Sequence, residues 1–174
     1  MSDVLLLIVD ARYPAALVPP SLIKSLSPKP VILVLNKVDL IKKEVALAWR
    51  SYFTETFPNV KVTFFTSYPG YNLRRANYSQ SGLPVRRLRG RISMAKEGAM
   101  QIFQCVQELF GDKVNLESWK DRIDKCDSKD NEAKEKPEYD SDCLTIGMVG
   151  MPNAGKSSLI NSLMGKVVVS VSFN

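Results

Sequence analysis

Gly150-Met-Pro-Asn-Ala-Gly-Lys-Ser157 follows the apolar run Leu144–Val149 and precedes the helix-like stretch Ser158–Met164. This octapeptide matches G-x-x-x-x-G-K-[ST], a phosphate-binding loop whose glycines let backbone N–H groups turn towards phosphate oxygens. The N-terminus of the following helix adds positive potential at the same place. We therefore expect a nucleotide site, with Lys156 at the β- and γ-phosphates and Ser157 as the ligand of Mg²⁺. The candidate phosphate-contacting residues are Gly150, Asn153, Ala154, Gly155, Lys156, Ser157 and Ser158.

Three apolar runs of strand length lie upstream of this loop, at residues 4–9, 31–35 and 61–65. Between the second and third runs, residues 43–57 carry apolar side chains every three or four positions, which is typical of an amphipathic helix. Pro20 can begin a shorter helix that reaches Leu26. Strands that alternate with helices predict parallel βαβ units with right-handed crossovers, and hence an α/β fold.

Polar side chains follow the second and third of these strands. They are Asn36, Lys37, Asp39, Thr66 and Ser67. Because ligands bind at the carboxyl ends of the strands in an open parallel sheet, we expect all five side chains near one ligand. A polar turn from strand to helix, with Asp39 near an N-cap, has the same appearance, and so does an ordinary loop at Thr66 and Ser67.

The tetrapeptide Asn36-Lys-Val-Asp39 favours guanine as the base of that ligand. A carboxylate at Asp39 can accept hydrogen bonds from the N1–H and the exocyclic amine of guanine, a donor pair that adenine lacks. Each charge-assisted bond contributes about 1.5–3 kcal/mol, so one missing bond gives roughly a ten- to hundredfold preference. Asn36 is expected to brace the loop and touch the base, the Lys37 stem to cover the ring, and the turn at Ser67 to offer an N–H to guanine O6.

The amino-acid composition excludes some classes of catalytic and metal site and indicates where the protein is located. The 174 residues carry a formal net charge of +6 and no histidine, so the commonest general base and metal ligand is absent. The three cysteines, Cys105, Cys126 and Cys143, form no C-x-x-C pair and are expected to be reduced thiols of an intracellular protein. The run at residues 4–9 is too short for a membrane span and lacks a basic leader, so we expect no membrane partner.

Four stretches together resemble the circularly permuted GTPases associated with ribosome assembly. They are Asp3-Val-Leu-Leu-Leu-Ile-Val-Asp-Ala-Arg12, Leu33-Val-Leu-Asn-Lys-Val-Asp-Leu40, Phe65-Thr-Ser67 and Thr145–Asn161. In that family the base-reading motifs precede the phosphate loop, as they do here. The resemblance implies an α/β, three-layer P-loop NTPase fold with a circularly permuted, mostly parallel sheet that is incomplete at the C-terminal end. It also implies GTP or GDP as ligand, Mg²⁺ and K⁺ as cofactors, and a link to ribosome biogenesis.

This resemblance, together with the apolar spacing and the charge of the middle segments, predicts how the chain is divided. Residues 1–68 form the base-recognition part, 69–94 a basic loop, 95–111 a helix packed on the sheet and capped by Gly111, 112–142 a charged disordered linker, and 143–174 the phosphate-loop strand, its helix and the start of a switch region. The segment Arg74–Arg91 carries six arginines and no acidic residue, which makes it a candidate contact for ribosomal RNA. A solvated insertion has the same composition.

The family pattern continues beyond Gly165 with a switch threonine and an Asp-x-x-Gly turn, neither of which follows in these 174 residues. We therefore expect weak or absent hydrolysis by this chain alone, no catalytic residue in it, and an exposed edge on the strand before Gly150. Family members also lack the familiar catalytic glutamine and are thought to depend on potassium and a ribosomal partner.

Two other functions remain open at this point: an ATP-using P-loop protein, and a non-catalytic RNA-binding fragment that acts through Arg74–Arg91. We further expect a monomer that does not bind DNA and that is located in the nucleus, the nucleolus or the cytoplasm.

Overall fold

The structure, a computed structural model, describes residues 2–66, 85–111, 119–121 and 144–164, with the backbone alone described for residues 85–95. Its strands are β1 Val4–Asp10, β2 Val31–Asn36, β3 Lys61–Phe64 and β4 Ile146–Val149. Its helices are α1 Pro14–Leu17, α2 Pro20–Leu26, α3 Lys43–Thr56, α4 Val85–Phe110 and α5 Lys156–Met164, and a 3₁₀ turn covers Val38–Leu40.

The four strands form one parallel sheet in the order β3-β2-β1-β4. In the register of β1 and β2, Asp10 lies opposite Asn36, and β4 runs beside β1 with Val149 opposite Leu7. All the carboxyl ends therefore meet at one edge of the sheet, as the sequence predicts. Within the described sheet, β4 is an edge strand.

Each face of the sheet is covered by helices. Leu6 and Ile8 point to the face where α4 and α5 bring Ile102 and Leu159, whereas Leu7 points to the opposite face, with Phe53 of α3 and the apolar residues of α2. Every residue of β1 and β2 is buried, which explains why both strands are continuous apolar runs rather than alternating ones. The result is a three-layer α/β fold, so the predicted fold class is confirmed.

Helix α4 begins at Val85, and the prediction of a loop over residues 69–94 is therefore wrong from Val85 onward. The sequence contains the reason, since Val85, Leu88 and Ile92 extend the helical spacing and the intervening arginines are good helix formers. The second half of α4 packs on the sheet so closely that a Cβ on Gly98 would lie 2.7 Å from the Phe64 carbonyl oxygen.

Helix α4 ends as the sequence predicts. Gly111 adopts φ 57° directly after Phe110, a left-handed conformation that favours glycine at the end of a helix. Cys105 on this helix is a free thiol, and burial raises its pKa. Residues 119–121 are helical, and the Trp119 ring packs edge-on against Phe103 with 5.5 Å between centroids.

Several predictions concern residues outside the described ranges. These are Ser67, the side chains of Arg74–Arg91, the rest of the linker at 112–142, the two cysteines Cys126 and Cys143, and the start of the switch region at 166–172. Among the helices that are described, none combines the length and the apolar character that a membrane span requires.

Candidate nucleotide-binding site

The phosphate loop connects β4 to α5 at the carboxyl edge of the sheet. Two of its residues have left-handed backbone conformations, Asn153 with φ 60° and Gly155 with φ 98°. Ala154 between them is 3% exposed, and its N–H donates to the Met151 carbonyl at 3.3 Å. The chain therefore turns tightly before it enters α5, as a loop that curls around a phosphate must do.

The close packing of the loop against neighbouring strands requires the glycines of the motif, as phosphate binding does. A Cβ on Gly150 would collide with the Ile8 carbonyl oxygen of β1. A Cβ on Gly155 would collide with the side-chain amide of Asn36. Both glycines thus allow the loop to lie directly against the central strands.

Lys156 and the two serines after it begin α5. The Lys156 ammonium donates to the carbonyl oxygens of Gly150 and Met151, both at 2.8 Å, so this cation lies across the loop. Ser157 is half-buried, and Ser158 is buried, with its carbonyl accepting a hydrogen bond from Ser162 Oγ at 2.9 Å. The loop therefore has a cation and a hydroxyl near the N-terminal end of a helix.

Asn36 joins the end of β2 to the phosphate loop. Its side chain is 1% exposed, and its Nδ2 donates to the Ala154 carbonyl oxygen at 2.7 Å across 118 positions of sequence. Its Oδ1 accepts the Lys37 backbone N–H at 2.8 Å. One buried amide thus connects the two parts of the predicted site.

Lys37 makes a second connection. Its ammonium donates to the Asn153 carbonyl oxygen at 2.6 Å and to Asp10 Oδ2 at 2.9 Å. Its backbone has φ 63°, which costs a non-glycine residue about 1–2 kcal/mol. This strained conformation coincides with the residue whose side chain reaches both the phosphate loop and a buried carboxylate.

Asp10 is a site residue that the sequence reasoning missed. Its carboxylate accepts hydrogen bonds from the Arg12 backbone N–H and Nε, both at 3.0 Å, and from the Arg12 terminal nitrogen at 2.8 Å. Burial by itself would raise the pKa of Asp10, but the hydrogen bonds from Arg12 and Lys37 outweigh it and hold this pKa well below its usual range. The signal was present in the sequence, since Asp10 follows an apolar strand in the same way as Asn36.

Asp39 and Thr66 form the outer part of the site. The buried Thr66 hydroxyl donates to Asp39 Oδ1 at 2.7 Å, and the Val38 N–H donates to the Phe65 carbonyl at 3.3 Å. These contacts hold the turn after β2 against the end of β3. The structure thus joins Asn36 and Lys37 to the phosphate loop and joins Asp39 to Thr66. Ser67 lies outside its described part.

Comparison with known proteins identifies relatives of this chain. A family model described as 50S ribosome-binding GTPase matches residues 145–173. Guanine nucleotide-binding protein-like 1 of Rattus norvegicus is 33% identical over 99% of this chain, and its Homo sapiens counterpart is 34% identical over the same share. The chain is homologous to guanine nucleotide-binding protein-like 1, of the circularly permuted GTPase family. Its fold and motifs are those of a GTP-binding domain of this family.

The chain spans 33% of the length of these guanine nucleotide-binding protein-like 1 relatives. It is also 28% identical, over 98% of its length, to guanine nucleotide-binding protein-like 3-like protein of Bos taurus, of which it covers 25%. Among solved structures, the GDP-bound structure of TM YlqF is similar, with a TM-score of 0.43 and 20% sequence identity. That likeness covers 94% of this chain and 44% of the other.

Proposed function

We propose that this chain binds GDP and GTP, with Mg²⁺, at the carboxyl edge of its parallel sheet. The observation that carries the proposal is the pair of contacts from Asn36 to Ala154 and from Lys37 to Asn153. These two hydrogen bonds hold the loop with guanine-reading chemistry directly against the loop with phosphate-binding chemistry. A nucleotide that spans both loops satisfies the two halves of the site at once.

Asp39 is the residue that would select guanine. One of its oxygens, Oδ1, accepts the Thr66 hydroxyl, which orients the carboxylate. An ionised carboxylate offers about four acceptor positions, so bonds to the guanine N1–H and exocyclic amine remain sterically distinct from this one. An adenine base would present no matching donor pair and would leave the charge poorly solvated.

Mg²⁺ fits the residues that are present. Within the described ranges, no group of three or more His, Cys, Asp or Glu side chains could hold a metal ion. Such a group is not needed here, because Mg²⁺ keeps several waters and takes nucleotide phosphate oxygens as ligands. Ser157, half-buried next to Lys156, would supply the hydroxyl ligand, and the ion would offset the negative charge of the phosphates.

The proposal extends to a role in ribosome biogenesis with K⁺-assisted GTP hydrolysis in the whole protein. The description of the matching family as a 50S ribosome-binding GTPase supports the ribosomal role. The K⁺ dependence rests on the resemblance of the sequence motifs to the circularly permuted GTPases. The segment Arg74–Arg91 is the proposed contact with ribosomal RNA, on the basis of its charge. We also propose that the protein is a monomer and that it is located inside the cell, in the nucleus, the nucleolus or the cytoplasm.

Titration calorimetry with GDP, GTP and ATP tests the nucleotide assignment. We expect GDP and GTP to bind in the presence of Mg²⁺ and ATP to bind at least about tenfold more weakly, because one or more charge-assisted bonds are missing. Equal affinity for ATP would contradict the guanine assignment and favour an ATP-using P-loop protein.

The variant Asp39→Asn tests the role of the carboxylate. It keeps an acceptor for the Thr66 hydroxyl but removes the charge that guanine needs, so GDP affinity should fall about ten- to hundredfold. Glu44→Gln is the matched control, since it removes one acidic charge from the first turn of α3. Equal loss of GDP binding in both variants would show that Asp39 has no specific role.

A further inference from the structure

We propose that Asp10 is a positioning residue for the nucleotide: it holds the Lys37 ammonium against the phosphate loop and thereby fixes the spacing between the guanine and phosphate subsites. The inference rests on the proposed nucleotide function. It adds to that function a residue that lies outside both motifs, Asn36–Asp39 and Gly150–Ser157. Asp10 itself need not contact the ligand, since it acts through Lys37.

The position of Asp10 follows from the sheet. Strand β1 lies between β2, which leads to Lys37, and β4, which leads to the phosphate loop. Asp10 is in register with Asn36, and the next N–H of the chain, that of Ala11, donates to the Asn36 carbonyl at 2.8 Å. The backbone that carries the carboxylate is therefore fixed at the centre of the carboxyl edge, between the two loops.

The orientation of the carboxylate is also fixed. Arg12 binds both oxygens of Asp10, with Nε at 3.0 Å from Oδ1 and a terminal nitrogen at 2.8 Å from Oδ2. The Lys37 ammonium shares Oδ2 at 2.9 Å. Arg12, which is half-exposed, thus supports Asp10 from the solvent side, and the 8% exposed Asp10 aims one oxygen at Lys37.

The function of this arrangement follows from the chemistry of lysine. An ammonium on a four-carbon stem is strongly hydrated and flexible, so a single carbonyl acceptor does not hold it in one place. Asp10 supplies a second, charged acceptor in addition to the Asn153 carbonyl oxygen, and the ammonium donates to both. Without the charge at Asp10, Lys37 would leave the loop more often and a bound nucleotide would dissociate sooner.

The test measures the dissociation rate of a fluorescent GDP analogue from the full chain. Asp10→Asn should raise this rate about tenfold, in line with the coupling energies of charged residues in contact. Asp3→Asn is the matched control, because it removes one carboxylate from the opposite end of the same β1 segment, where Asp3 accepts the Thr145 N–H. Its rate should equal that of the unmodified chain.

A double-mutant cycle with Lys37→Met separates positioning from general structural support. If Asp10 acts through Lys37, Asp10→Asn should add no further increase in the Lys37→Met background, while the number of GDP molecules bound per chain stays constant. A further increase of the same size in that background would overturn the proposal, and so would an unchanged rate in Asp10→Asn. Failure of the unmodified chain to bind the analogue would instead contradict the proposed function.

Arg12→Gln provides a second variant in case Asp10→Asn does not fold. It leaves the carboxylate charged and retains the hydrogen bond from the residue 12 backbone N–H, but it removes two side-chain donors. Dissociation should then quicken by about threefold, a smaller effect than that of Asp10→Asn because Lys37 keeps its charged acceptor. A dissociation rate equal to that of the unmodified chain would overturn the proposal by this route.

Discussion

Asn36→Ala removes the side chain that joins the two halves of the site, and its cost can be worked out from the structure. The Asn36 amide is 1% exposed and makes two hydrogen bonds to the backbone, one to the Ala154 carbonyl oxygen and one from the Lys37 N–H. Alanine can replace neither of them. The substitution therefore leaves one backbone acceptor and one backbone donor without a partner.

The two losses differ in size because the two groups differ in burial. Ala154 is 3% exposed, and a buried unsatisfied group costs about 1–3 kcal/mol. The Lys37 N–H is partly buried and water can replace some of its bond, so we expect the lower end of that range for it. Together the two losses lower the free energy of unfolding by about 2–4 kcal/mol.

Urea denaturation of the nucleotide-free chain, followed by tryptophan fluorescence, measures this free energy directly. Asn59→Ala is the control, because Asn59 lies exposed in the turn after α3 and its replacement should change the free energy by less than about 0.5 kcal/mol. If Asn36→Ala unfolds with the same free energy as this control, the bond from Asn36 to Ala154 does not fasten the loop and the description of the site is wrong.

Two further predictions concern the same edge of the sheet. Gly155→Ala should weaken GDP binding by more than about tenfold, because φ 98° is unfavourable for alanine and its Cβ would displace the Asn36 amide. Gly111→Ala, where φ is 57° but nothing lies within 4 Å of a Cβ, should lower stability without changing binding, as titration of both variants with GDP would show. The folded-state pKa of Asp10 is lowered, so its stabilising contribution is present above the ordinary carboxyl pKa and is lost as the pH falls. The unfolding free energies of the unmodified chain and of Asp10→Asn should therefore differ most above about pH 4, and the difference should shrink progressively as the pH falls from there towards the lowered folded-state pKa, as urea denaturation at several pH values would show.

The strands and the phosphate loop could be predicted from sequence because local chemistry determines them. Buried parallel strands must be apolar on both faces, and the runs at β1 and β2 have the length and the continuous apolar character of such strands. Gly155 marks a left-handed turn, and Gly150 marks a close approach to β1, that other residues cannot make at those positions. The parallel direction of the strands followed from the alternation of strands and helices along the chain.

The start of α4 and the role of Asp10 were missed for different reasons. The positive charge of the arginine-rich run at residues 86–91 favoured a basic loop, whereas the spacing of the apolar residues in the same run indicates a helix. The place of Asp10 at the end of an apolar strand is visible in the sequence, but its contact with Lys37, 27 residues away, is not indicated by any local pattern. Contacts of this kind depend on the register of β1 and β2, which sequence spacing alone does not define.

The contacts that join the two halves of the site also explain how it can tolerate a rearranged order of segments. Asn36 and Lys37 use side-chain donors, whereas their partners on the phosphate loop are the backbone carbonyls of Ala154 and Asn153. Any residue that keeps the left-handed turn of the phosphate loop supplies such a carbonyl oxygen. Particular side chains are therefore required only at the carboxyl end of β2, at Asn36 and Lys37. Nothing in this bonding requires the two loops to be close in sequence or in a given order. A sheet that brings β2, β1 and β4 together in parallel is sufficient, and the connection between the halves can vary without altering the site.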